Sequence, residues 1–117
     1  MLFVEYPKCS TCKKAKEWLD DHNIEFDERH IVEDNPTVDE LRIWHKSSDL
    51  PLRRFFNTSG MLYREMKLAD KLPKMSEDEM YELLASNGML VKRPLLVLDD
   101  TVLVGFKQAE WEATLLG

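Results

Sequence analysis

The sequence predicts an α/β fold: a mixed β-sheet of order β-α-β … β-β-α, with an all-helical insertion at about residues 36–88. Three observations predict it. Strand-like apolar runs stand only towards the two ends, at Leu2 to Tyr6, Leu95 to Leu98 and Val102 to Gly105. Between the first of these and a polar–apolar alternation at Ile24 to Val32, apolar residues recur at helical spacing, as a crossover between parallel strands requires. The middle third carries two capping boxes and few β-branched residues.

Leu2 to Tyr6 reads as a buried strand ended by Pro7, which cannot donate to a central ladder. From about Ser10 to His22, Ala15, Trp18 and Leu19 fall on one helical face with charges opposite, and Asn23 is a stop signal. Ile24 to Val32 is a second strand parallel to the first, bounded by the turn Asp34-Asn35-Pro36. Thr37 with Glu40 opens a helix to about Lys46, followed by a short helical turn ending at Phe56. Asn57 to Gly60 is a loop and Met61 to Leu68 another short helix. Ser76 with Glu79 opens a helix to about Ala85, closed by Asn87-Gly88. Asp99-Asp100 is the turn of an antiparallel hairpin, and a last helix, Lys107 to about Leu115, places Trp111 and Leu115 on one face.

With 117 residues and no compositional break, residues 1–117 are expected to form one domain with one real core. A formal net charge of −6, spread along the chain, argues against a nucleic-acid or anionic-membrane surface. No apolar run approaches the ~20 residues that span a bilayer. The start Met-Leu-Phe-Val-Glu lacks the features of a signal peptide, so a reducing, cytoplasmic location is expected.

Both cysteines lie in Tyr6-Pro7-Lys8-Cys9-Ser10-Thr11-Cys12-Lys13-Lys14-Ala15, between the first strand and the first helix. Unpaired N–H groups and the helix dipole favour a thiolate there, so Cys9 is the expected nucleophile. Cys12, three residues on, is close enough to resolve a mixed disulfide. Ser10 and Thr11 supply hydroxyls for the sulfur, and Lys13, Lys14 and Lys16 a local positive field. A structural disulfide fits poorly in a chain with so few cysteines. Half a zinc site would need two more ligands, and His22, His30 and His45 lack a zinc motif's spacing, so no metal is expected. The order of elements around this CxxC is that of a thioredoxin-type domain carrying a helical insertion.

Four blocks carry a closer resemblance: Tyr6 to Ala15, Phe55-Phe56-Asn57-Thr58-Ser59-Gly60, Leu90-Val91-Lys92-Arg93-Pro94-Leu95 and Val104-Gly105-Phe106-Lys107. In that order and spacing, over essentially the whole chain, they resemble the arsenate-reductase-like proteins of the thioredoxin fold. Those include glutaredoxin-linked arsenate reductases, Spx-type regulators and small uncharacterised reductase-like members, which this chain resembles most. The resemblance implies Cys9 as nucleophile, with Arg93 across from it holding the thiolate and an anionic partner. It also implies a cis Pro94, where sequence alone favours trans. Ser10, Thr11, Asn57 and Pro94 make up the expected substrate-binding set.

Two further arginines of the arsenate reductases fall near Asn57 and Phe106, where this chain has none, although Arg53, Arg54 and Lys107 lie close in sequence. The polymerase-contacting glycine of the regulators is replaced around Leu50-Pro51, and their C-terminal extension is missing beyond Gly117. The expected function is therefore a thiol–disulfide oxidoreductase without a bound cofactor, acting as a monomer. A low-molecular-weight thiol, glutaredoxin or thioredoxin would supply electrons. The alternative is a redox-sensing regulator that binds RNA polymerase. The acidic pairs and triplets, Asp20-Asp21, Glu77-Asp78-Glu79 and Asp99-Asp100, sit where caps, solvated faces and turns want acids.

Overall fold

Strand β1 (Leu2–Glu5) is central to a four-stranded sheet and sets the register of everything around it in the computed structural model, which describes residues 1–117. Helix α1 (Ser10–Asp21) follows, then β2 (Asp27–His30) and α2 (Val38–Ser48). The insertion continues through a 3-10 turn at Leu52–Phe55, α3 (Met61–Glu65), α4 (Leu68–Lys71) and α5 (Glu77–Ser86). Strands β3 (Leu95–Val97) and β4 (Val102–Val104) and helix α6 (Gln108–Leu115) complete the chain. The sheet order is β2-β1-β3-β4, with β2 parallel to β1 and the other pairings antiparallel. This is a thioredoxin-like mixed sheet with a helical insertion.

Side-chain alternation divides the sheet between two layers. In register, Phe3, Leu96 and Leu103 form one row, and they pack with Ala15, Trp18 and Leu19 of α1 and Trp111 of α6. The next row, Val4, Leu95 and Val104, faces the other way and packs under the insertion with Leu41, Phe55 and Leu84. Trp111 is fully buried, and its indole Nε1 donates to the Gly105 carbonyl at 3.1 Å.

Both capping boxes form, Thr37 with Glu40 and Ser76 with Glu79. Asn23 takes the left-handed conformation at φ 55° and ends α1, with the Ile24 amide returning to the Leu19 carbonyl. Most expected boundaries shift by a residue or two, and two elements differ by more. Strand β2 is shorter than residues 24–32, because Ile24 and Phe26 pack against the core before pairing with β1 begins. The expected helix over 61–68 is two short ones, divided at Lys67, whose φ of 55° cannot continue a right-handed helix.

Arg29 ties β2 to the insertion. Its guanidinium forks onto Glu40 at 2.5 and 2.8 Å and lies over the Trp44 ring. That guanidinium, against a smaller opposing effect of burial, holds the Glu40 carboxyl down to about 2. A folded-state value below the ordinary 4.5 gives stability that is complete above 4.5 and lost as pH falls towards 2. Glu40 is 34% exposed, so solvent screening limits the contribution to about 1–2 kcal/mol. Glu40→Gln is expected to lose that amount in urea unfolding at neutral pH, and the gap from wild type to narrow as pH falls from 4.5 towards 2.

Candidate active site

Cys9 is the N-cap residue of α1, in extended conformation at φ −87° and ψ 123°. The preceding turn is closed by its own amide, which donates to the Tyr6 carbonyl at 2.9 Å. Its carbonyl then accepts the first helical bond from Lys13 at 3.1 Å, and its Sγ accepts from the Cys12 amide at 3.4 Å. A sulfur therefore occupies the position where a serine or aspartate oxygen commonly caps a helix. Both thiols are free; Cys9 is half-buried and Cys12 is buried completely.

The two sulfurs are driven apart in acidity. Burial pulls the Cys9 thiol up, but hydrogen bonds with Cys12 and the Thr11 amide, and the Arg93 charge, outweigh it and leave the thiol below its ordinary value. For Cys12, burial dominates and the neighbouring Cys9 adds to it, so that thiol is pushed up to about 12. One sulfur is thus kept ready to ionise and the other protonated.

Arg93 reaches the site from the segment before β3. Its Nη1 donates to the Met89 carbonyl at 3.2 Å, and the guanidinium lies 5.2 Å from the centre of the Tyr6 ring. The Arg93–Pro94 bond is cis, and the Pro94 carbonyl accepts from the Gly105 amide at 2.8 Å. Gly105 lies at φ +76°, where a side chain is strained, and an added Cβ would press on Lys92.

Asn57 comes from the insertion and is 8% exposed. Its amide is anchored to the Leu90 carbonyl at 2.8 Å, and its Oδ1 accepts from the Ser59 hydroxyl at 3.3 Å. The Nδ2 donor has no partner within the protein and belongs to a residue lining the pocket above Cys9. Gly60 makes room for it, since a Cβ there would come within 2.7 Å of that nitrogen.

These segments enclose a pocket of about 370 Å³ that includes Cys9, Thr11 and Asn57. Arg54, Lys92, Arg93 and Lys107 also line it, and no acidic residue does. In a chain of net charge −6, this concentrates positive potential over the Cys9 sulfur. Such a lining favours an anionic group beside the Cys9 sulfur.

Of the residues singled out from sequence, Cys9, Thr11, Asn57 and Arg93 line this pocket, with Cys12 buried behind Cys9. Ser10 does not line it, and Pro94 is buried beneath it, contributing its carbonyl to Gly105. No hydroxyl of Ser10 or Thr11 hydrogen-bonds the sulfur; backbone amides do so instead, because at a helix start they already converge on the N-cap side chain. The lysine cluster is also not the source of the field. Lys16 pairs with Glu28 at 2.7 Å, and Lys13 and Lys14 are not among the pocket residues. Lys92 lines the pocket as well as Arg93 and has no role in the sequence reading: it lies outside regular strand, where alternation gives no guide to which side chains face the site. No group of three or more His, Cys, Asp or Glu side chains is arranged to hold a metal ion.

Residues 4–114 match the ArsC family. The chain belongs to the ArsC family. An ArsC-family-related protein of Bacteroides fragilis, described as putative, superposes with a TM-score of 0.94 at 60% identity, covering 96% of this chain and 94% of that one. The uncharacterized protein YusI of Bacillus subtilis is 54% identical over 112 residues, 96% of this chain and 95% of its own length. The regulatory protein MgsR of the same organism is 31% identical over 110 residues, 94% of this chain and 86% of its own. Proteins similar to this chain are thus described in regulatory terms, as MgsR is, and in enzyme terms, as a possible arsenate reductase of Streptococcus mutans is at 46% identity and a TM-score of 0.88, covering 97% of this chain and 96% of that one.

The positive field makes a direct prediction. Iodoacetate, an anion, should alkylate Cys9 faster relative to neutral iodoacetamide than it alkylates a free thiol. Lys107→Gln and Arg54→Gln should each reduce that preference by about two- to fivefold, and added salt should reduce it further. Competition kinetics followed by mass spectrometry would read the ratio, and a ratio indifferent to both substitutions would contradict the assignment.

Proposed function

We propose that the chain is a thiol–disulfide oxidoreductase whose redox centre is Cys9 and Cys12. The observation that carries it is the pairing of a thiolate-favouring sulfur at the α1 N-cap with a buried thiol one turn on, beneath a pocket lined by cations. The Cys9 thiolate attacks one sulfur of a disulfide substrate. A Cys9–substrate bond forms, the substrate S–S bond breaks, and the other half leaves as a thiolate. Cys12 then attacks the Cys9 sulfur and expels the second half, its proton passing to that departing thiolate. The substrate leaves as one thiolate and one thiol, the thiolate taking a proton from solvent, and the pair is oxidised to a disulfide.

Once Cys9 is in a mixed disulfide, its negative charge no longer holds the Cys12 proton in place, so Cys12 becomes easier to ionise when it is needed. An external low-molecular-weight thiol, or a glutaredoxin or thioredoxin, returns the electrons by the reverse exchange, in the cytoplasm. Arsenate is a poorer fit than an organic anion. Arg93 is the one arginine at a matching family position; Arg54 brings a second guanidinium to the pocket, and Lys92 and Lys107 give charge without a bidentate fork.

Cys12→Ser is expected to strand the natural substrate on Cys9 as a mixed disulfide recoverable from a cell lysate, and Cys9→Ser to recover nothing. Equal recovery by both variants would overturn the assignment. Similarity to the regulatory protein MgsR, at 31% identity, favours a second reading as a redox-sensing regulator, for which the family resemblance implies RNA polymerase as the partner. A pull-down in reducing and oxidising buffers separates the two, since a plain reductase binds polymerase in neither.

A further inference from the structure

A second recess, about 650 Å³, lies in the insertion beside the pocket over Cys9. Arg54 and Lys92 line both, so they form the boundary across which the two meet. Its wall is of a different kind. Leu52, Phe56, Tyr63, Leu72, Pro73 and Met80 give it a broader apolar surface than the Cys9 pocket, where Val104 and Phe106 are the large apolar side chains. Arg53 adds a third cation against one acidic residue, Glu77.

The two recesses together describe a ligand: a sulfur to meet Cys9, a negative charge to lie across Arg54 and Lys92, and an apolar or ring-shaped arm to fill the space beyond. We propose that the recess is a specificity pocket that takes the ring or apolar arm of an anionic low-molecular-weight disulfide attacked by Cys9. This rests on the oxidoreductase reading. Charge complementarity selects this occupant, because the only charges at the shared boundary are positive while the chain as a whole is acidic. The volume is in the range of small-molecule pockets, and the mixture of apolar wall with a few charged groups is their usual chemistry. In the attack, a bond forms between Cys9 and the nearer sulfur, the ligand's S–S bond breaks, and the farther half departs as a thiolate.

The test uses the Cys12→Ser protein, so that capture stops at the mixed disulfide, and two anionic probes. Dithiobis(nitrobenzoate) carries a carboxylate on a ring; dithiodiglycolate carries a carboxylate and no ring. Rates of Cys9 capture are measured by rapid quench and mass spectrometry, with and without Ala69→Trp, which fills the recess from an exposed position on α4. The ratio of the ring-bearing rate to the ring-free rate is expected to fall about tenfold. Ala69→Glu, which sets a carboxylate in the same space, is expected to lower the ratio in the same direction and serves if the tryptophan variant does not fold. A ratio unchanged by either variant, with both probes still captured, overturns the specificity pocket and leaves the oxidoreductase reading standing. Failure of wild-type Cys9 to capture either probe overturns both.

Discussion

The sulfur of Cys9 serves as the N-cap of α1, and the rest of the site depends on that substitution of sulfur for oxygen. A helix start leaves amides without intrahelical partners, and a capping group near them is stabilised in its anionic form. Here the Cys12 amide points at the sulfur, so the backbone that begins the helix also acidifies the thiol. The same turn carries Cys12 into the core, where burial has the opposite effect. Two chemically identical side chains acquire opposite shifts in acidity from one turn of backbone.

The sheet holds that turn in place from both sides. Phe3 of β1 packs against Ala15 and Trp18, fixing α1 over one face, while Val4 on the opposite face anchors the insertion. The insertion returns Asn57 and Arg54 to the mouth of the site, and its link to the sheet is direct: the Lys92 amide donates to the Phe55 carbonyl at 2.7 Å, and Phe56 pairs with Val91. Glu5 is the price of the arrangement. It continues the Phe3 face of β1 and is 7% exposed; burial, with Glu28 nearby, raises its carboxyl above the ordinary value.

Local chemistry made much of this visible in the sequence. The caps at Thr37 and Ser76 are fixed by side chains three residues away, and the Asp99-Asp100 hairpin by its immediate flanks, so each could be read without knowing the fold. Cys9 and Cys12 stood out by their spacing and their place at a helix start, and Arg93, which lines the same pocket as Cys9, by the family resemblance. The remainder depended on distant contacts. Whether Lys16 serves Cys9 or Glu28 is decided by where β2 lies, and the arrival of Lys92 at the pocket beside Arg93 by an irregular segment with no periodicity. The break at Lys67 lies in a helix pattern that carries no glycine or proline to announce it.

The divided acidity of the two thiols is the central claim, and nuclear magnetic resonance of the cysteine Cβ carbons across a pH titration tests it most directly. Cys9 is expected to ionise below the ordinary range of a thiol, with Cys12 remaining protonated until pH approaches about 12. Two cysteines titrating together in the ordinary range, or Cys12 ionising first, would contradict it.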